Sequence, residues 1–217
     1  MNEPHGIKGA VEIVEPTRAE RAIARRAAES RATVPDISLS AEVEMTAALA
    51  LIPERSTSIA ALLVRAAALA LRDHPRANAA YRDGRFELYS RINAGVVLPS
   101  SEAATVLDAD QKPLEQLAAE IDELERRAAE LTSPELSGAT FTIAQYGVAR
   151  AEALITPSHA VALAAGEVRE VAVAHEGTVT AGAVLTVSLA CDARIVHGEL
   201  AVAVLARIKE LLERAEL

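Results

Sequence analysis

Apolar and polar residues alternate most regularly between Asp36 and Thr46. Ile37, Leu39, Ala41, Val43 and Met45 interleave with Asp36, Ser38, Ser40, Glu42, Glu44 and Thr46. A period of two predicts a strand with one wet face. Upstream the pattern changes: Glu20–Ser30 consists of strong helix formers with arginines on a solvated side, after Pro16 and before Pro35, and predicts a helix. Residues 1–16 read as loop, with Val11, Ile13 and the intervening glutamates as one short strand. Past a break at Pro53, Ser58–Arg72 predicts a helix apolar on most sides and so buried on most sides. His74-Pro75 stops it.

Tyr81–Gly84 reads as a turn and Arg85–Leu98 as one or two strands. Leu114, Leu117, Ile121, Leu124, Ala128 and Leu131 recur in steps of three and four, with Glu115, Asp122, Glu123 and Arg126 opposite. This is an amphipathic helix packed on a core, too short for a coiled coil. A strand is predicted at Thr140–Gln145, and short apolar segments follow at Val161–Ala165 and Val168–Ala174. A turn at Glu176-Gly177 leads into the long strand Val179–Cys191, and a last helix covers Glu199–Glu216. No linker, repeat or low-complexity stretch interrupts the series, so residues 1–217 read as a single α/β domain.

Composition narrows what this domain does. Of 217 residues, 51% are hydrophobic and only 2% aromatic, with no Trp. The core must be filled by Ala, Val, Leu and Ile, and stacking platforms for nucleic-acid bases are missing. A net charge of −9 also opposes binding to a phosphate backbone. Nucleic acid is therefore excluded as a partner. The lone Cys191 has no intrachain disulfide partner, as in a reducing compartment. Met1–Ala10 lacks the apolar run of a signal peptide, and Ile59–Leu71, interrupted by Arg65, is too short to span a bilayer. The expectation is a soluble cytoplasmic protein without a membrane partner.

No phosphate-binding Gly-rich loop and no Gly-x-Ser-x-Gly elbow occur in the chain. The five histidines (5, 74, 159, 175 and 197) are not at ligand spacing with one another or with Cys191, so no metal site is expected. The stretch Thr186–Gly198 is more informative, because it reads as a strand ending in a polar turn just before the last helix. Its His197 is either a turn residue bonded locally or a catalytic group.

The order of segments resembles the catalytic domain of the 2-oxo acid dehydrogenase acyltransferases over nearly the whole chain. Arg21–Ser30 resembles that family's opening helix, followed by Thr33-Val-Pro35 and the strand Ile37–Thr46. His74-Pro75 with Asn78-Ala79 resembles its Pro-x-x-Asn turn, and Asp108–Lys112 its polar loop. Gly138–Ile143 with Gly147, and Ile155-Thr-Pro157, resemble its central strand and loop. Ser188–Asp192 with Arg194-Ile-Val196 and Gly198 resembles its signature turn. The resemblance implies a chloramphenicol acetyltransferase-like fold, a mixed sheet flanked by helices. It also implies a homotrimer, with a higher cage open to it, whose active sites lie between subunits. CoA enters these channels from one side and dihydrolipoamide from the other.

In the family the signature turn is Asp-His-Arg-x-x-Asp-Gly. The His is the general base for the attacking thiol, and the second Asp or Asn helps hold the site. A Ser or Thr from a neighbouring subunit donates to the tetrahedral oxyanion. Here the base position is Ala193, the second acid position is His197 and the hydroxyl position is Ala144. Asp192, Arg194 and Gly198 in the turn, and Thr142 and Gln145 beside Ala144, remain as substrate-channel candidates. The resemblance also implies that Glu20 replaces the family's usual Arg and that Ser100–Thr105 replaces its Gly-Leu-x-x-Pro loop; residues 1–217 are expected to hold no lipoyl or peripheral-subunit-binding domain. These departures imply a catalytically inactive structural or regulatory homologue needing no cofactor, self-assembled or co-assembled with an active acyltransferase or other dehydrogenase-complex subunits. Two alternatives stand beside it. One is a CoA-dependent acyltransferase with a relocated base, His197 or His159; the other is a binding module for CoA or acyl groups.

Overall fold

A computed structural model describes residues 9–99, 103–175 and 177–217. Residues 9–17 form no strand, and no strand pairs with them among the described residues. Helix α1 (Arg18–Thr33) then begins at a capping box. Thr17 Oγ1 accepts from the Glu20 N–H at 3.2 Å, and the Glu20 carboxylate accepts from the Thr17 N–H at 2.6 Å. Two orphan amides are satisfied reciprocally. Glu20 thus serves the helix terminus, and its bonds to Thr17 lower its pKa.

Strand β1 (Asp36–Glu44) ends before the alternation does, because Met45 caps α2 (Thr46–Arg55). The sequence pattern missed this helix. Pro53 sits in its last turn, where the missing N–H costs only the bond to the carbonyl four residues back. Ser58 caps α3 (Ile59–Asp73), whose Leu62, Leu63 and Leu71 are fully buried as the pattern required. Each such leucine contributes about 2 kcal/mol of burial. Strands β2 (Ala79–Arg82) and β3 (Arg85–Leu88) form a separate hairpin, and the turn contracts to Asp83-Gly84, both at positive φ.

The remaining elements are β4 (Ala94–Val97), β5 (Ala103–Val106), α4 (Leu114–Arg126), α5 (Ser133–Ser137), β6 (Phe141–Gln145), β7 (Val161–Ala165), β8 (Arg169–His175), β9 (Thr178–Asp192) and α6 (Glu199–Glu213). Strand β5 was not predicted, and residues 100–102 before it, like Glu176 in the β8–β9 turn, lie outside the described residues. The order β1-β9-β7-β6-β4-β5, with β8 also beside β9, makes one mixed sheet. β9 is antiparallel to β1, β7 and β8, while β6 runs parallel to β4 and β7.

The sheet has two unlike faces. Leu185, Val187, Leu189 and Cys191 of β9 point into the large core shared with α3, α4 and α6. The alternate residues Thr186, Ser188, Ala190 and Asp192 point the other way. That second face is built of small side chains: Ala162, Ala164 and Ala190 pack under Val34, Ala153 and Ile155, and the Ser40 and Ser188 hydroxyls bond at 3.0 Å. No single helix among the described residues is long and apolar enough to cross a membrane.

Candidate functional site

The signature turn grows out of the end of β9. The Asp192 N–H donates to the Ala160 carbonyl at 2.8 Å, and the Asp192 carbonyl accepts from the Ile195 and Val196 amides at 2.9 and 2.8 Å. The side chain of Asp192 is 1% exposed and is clamped by one residue. Arg194 donates to it from its backbone N at 3.0 Å, from Nε at 2.9 Å and from Nη2 at 2.6 Å. These bonds raise the Arg194 pKa. The guanidinium also lies 4.4 Å above the Tyr81 ring of β2, which ties the hairpin to the turn by a cation–π contact. Tyr81 had no signal in the sequence, since 111 residues separate it from Asp192.

Between these anchors, Ala193 is held by its backbone alone, its N–H donating to the Pro35 carbonyl at 2.9 Å. His197 is exposed, and Gly198, at φ +54, caps α6. That positive φ is a conformation that favours glycine. The Asp192–Arg194 bonds lock the turn, and position 193 has no group that can take a proton.

The other family position lies elsewhere. Ala144 on β6 pairs with Ala164 of β7, which pairs with Ser188 of β9. Ala193 is five residues beyond Ser188, so the two alanines are about 17 Å apart along the sheet and about 10 Å across it. Ala144, Thr142 and Gln145 line a cleft of about 640 Å³ with Ile23 of α1, Leu98, Pro99 and Leu154. Asp192, Arg194, His197 and Gly198 do not line it. A single chain thus brings Thr142, Ala144 and Gln145 together, and separately Asp192, Ala193, Arg194 and Gly198. It does not bring the two groups together.

His159 is placed by the same ladder. Because Asp192 bonds Ala160, His159 lies one step on, level with Ala193. The residue is only 4% exposed, and its Nε2 donates to the Ala139 carbonyl at 2.9 Å, leaving Nδ1 without a partner. Burial pushes its pKa down to about 4. Cys191, also buried, has its thiol pushed up to about 12 by burial, so it carries no thiolate at neutral pH.

The turns that the sequence singled out earlier are joints of the scaffold. The Asn78 amide donates to the Tyr89 and Arg91 carbonyls at 3.1 and 2.8 Å. Asp108 pairs with Arg91, and its own N–H donates to Asn93 Oδ1 at 2.9 Å. Together they fasten the segment between the hairpin and β4 to the polar loop.

Comparison with known proteins agrees with this layout. The family model for the 2-oxoacid dehydrogenases acyltransferase (catalytic domain) matches residues 8–217. The dihydrolipoyllysine-residue acetyltransferase component of the pyruvate dehydrogenase complex of Zymomonas mobilis is 31% identical over 212 residues, covering 89% of this chain and 48% of that protein. The chain spans about half the length of the curated relatives it matches. The dihydrolipoamide acetyltransferase of Azotobacter vinelandii, solved to probe the roles of a serine, a histidine and an asparagine in its mechanism, superposes with a TM-score of 0.90 at 22% identity, covering 100% of this chain and 97% of that one. The cubic core of a pyruvate dehydrogenase multienzyme complex superposes equally well, with the same identity and coverage. A chloramphenicol acetyltransferase shares the fold at a TM-score of 0.58 and 14% identity, over 93% of this chain and 99% of its own. With the family model matched from residue 8 to the last residue and the mixed sheet in place, the chain belongs to the catalytic-domain family of the 2-oxoacid dehydrogenase acyltransferases.

Proposed function

We propose that this chain is a non-catalytic member of the acyltransferase family that acts through assembly, as a homo-oligomer or beside an active acyltransferase. One observation carries the reading. The Asp192–Arg194 lock holds the signature turn in shape, yet both chemical positions, Ala193 and Ala144, are alanine. A general base contributes about 10²–10⁴ in rate and an oxyanion donor about 10²–10³. The losses need not multiply, but either alone leaves a poor transferase. Neither relocated base is well placed. His197 is on the surface, and the Nε2 proton of buried His159 is committed to Ala139. The distance between Ala144 and Ala193 within one chain supports a channel completed by a second copy, as in the family. The cubic core with this fold supports assembly as what remains when the chemistry is gone.

The test is acetyl transfer between acetyl-CoA and dihydrolipoamide. The expected rate is at background; turnover in the range of active family members overturns the proposal. A second reading rests on the cleft beside Ala144, whose mainly apolar lining fits an acyl group or the pantetheine arm of CoA. Calorimetric titration with CoA separates the two, since a purely structural member gives no binding heat.

A further inference from the structure

The cleft beside Ala144 meets a second cavity at the ends of its strands. On the other face of β4 and β6, between α3 and α4, lies a pit of about 140 Å³. Successive strand residues point to opposite faces, so Thr142 and Ala144 line the cleft while Ile143 lines the pit. At the strand ends the division stops. Val97, Leu98, Pro99 and Gln145 line both cavities, so only the C-terminal ends of β4 and β6 separate them.

The pit is apolar inside and acidic at its mouth. Its walls are Leu63 of α3, Ile121 of α4, and Val96 and Ile143 of the sheet, all buried. The corner is left unfilled because Ala60 stands at the start of α3 and, among the described residues, no aromatic ring lines it. Packed interiors hold few voids larger than a water molecule, and one with apolar walls offers water no partners. Its size is close to that of a cavity of roughly 150 Å³ that holds a benzene ring, which is room for about six carbons. Glu125 and Gln145, both exposed, are the polar residues of the lining. An anionic group entering the pit would face the Glu125 carboxylate and would give up its water with no partner inside. A methyl end meets neither cost.

We propose that the cleft and the pit form one site for a straight, methyl-terminated acyl chain, its carbonyl end beside Ala144 and its tail rounding Gln145 and Pro99 into the pit. The site rests on the second reading above, in which the cleft takes an acyl group, and adds which acyl group it is. Chain length is measured in the pit. Each methylene taken out of water there raises affinity about fourfold, until the tail reaches Leu63 and Ile121.

Acyl thioesters of N-acetylcysteamine serve as probes, because they lack the phosphates of CoA. The isotope-labelled δ1 methyl groups of isoleucine in the full chain report the cavities separately, since Ile23 lines only the cleft and Ile121 and Ile143 only the pit. The butanoyl thioester is expected to shift Ile23 alone. The decanoyl thioester is expected to shift all three and to bind at least about a hundredfold more tightly. The decanedioyl monothioester, of equal length but ending in a carboxylate, is expected to shift Ile23 alone. Ala60→Leu fills the pit and should remove most of the decanoyl advantage. A decanoyl chain that leaves Ile121 and Ile143 unmoved, or keeps its advantage in Ala60→Leu, has its tail elsewhere and overturns the two-cavity site alone. Equal entry of the decanedioyl chain overturns the methyl-terminated class. If no thioester shifts Ile23, the cleft reading is overturned and the two-cavity site with it.

Discussion

The Asp192–Arg194 pair gives a quantitative test of whether the turn is maintained for shape. The two partners are unequally buried, the Asp192 side chain being 1% exposed and that of Arg194 28%. Arg194→Met keeps the stem but strands a buried carboxylate. Removing one partner of a buried pair costs about 3–5 kcal/mol, which for a chain of this length lowers Tm by roughly 6–20 °C. Asp192→Ala strands a guanidinium that can turn toward water while still covering Tyr81, so its cost is that of lost charged hydrogen bonds, about 1.5–3 kcal/mol. In the double variant neither charge is left uncompensated. It is therefore expected to be more stable than Arg194→Met alone, a large non-additivity of the kind that contacting residues show. Thermal and urea unfolding at one fixed protein concentration read all four corners of the cycle, the fixed concentration being needed because assembly shifts apparent stability. If Asp192→Ala is the more damaging single change, or if the two effects simply add, the lock is not what holds the turn.

Two further outcomes follow from local geometry. His159 has a pKa near 4 in the folded chain against an ordinary 6.5, so the unfolded chain binds the proton first as pH falls. Stability should be complete above about pH 6.5 and decline by about 3 kcal/mol toward pH 4, at roughly 1.4 kcal/mol per unit. His159→Gln, which keeps a donor for Ala139, should flatten that decline in urea midpoints measured across the range, and equal slopes in the two proteins would refute the assignment. Glu20→Arg removes the acceptor for the Thr17 N–H and puts a cation at a helix N-terminus. End stability should be lost, visible as faster amide exchange over residues 17–21; unchanged exchange there would show that the cap contributes nothing.

The elements legible in the sequence were those whose pattern has a single cause. α3 buries nearly its whole surface and α4 one stripe, and both were read within two residues at their starts. β9 was legible because its C-terminal half, paired with β1 on one side and β7 on the other, is buried and must be apolar. The misses have local explanations. α2 was hidden because Met45 and Thr46 continue the two-residue period of β1, and because Pro53 resembles a break when it sits harmlessly in a last turn. Val11–Ile13 has the composition of a strand, yet pairing requires a neighbour, and within one chain none is supplied. β5, four residues long at the edge of the sheet, had too few positions to show a period.

The site was legible in a different way. The sequence placed Asp192, Ala193, Arg194, His197 and Gly198 in one turn and Thr142, Ala144 and Gln145 on one strand, but it assigned all the survivors to a channel. The geometry divides them by task. Asp192 and Arg194 spend their hydrogen bonds on each other, and Gly198 supplies a backbone angle. Only Thr142 and Gln145 face the cleft with Ala144. Asp192, Arg194 and Gly198 account for the shape of the turn, and Ala193 between them carries no reactive group. In an inactive site, as proposed, a buried carboxylate and its arginine have no chemical use, and replacing such a pair by apolar groups of similar volume is often neutral or stabilising. Their presence is better explained if the shape of the turn is itself in use, and on the proposed reading a surface that must match another subunit is a use for which shape without chemistry suffices.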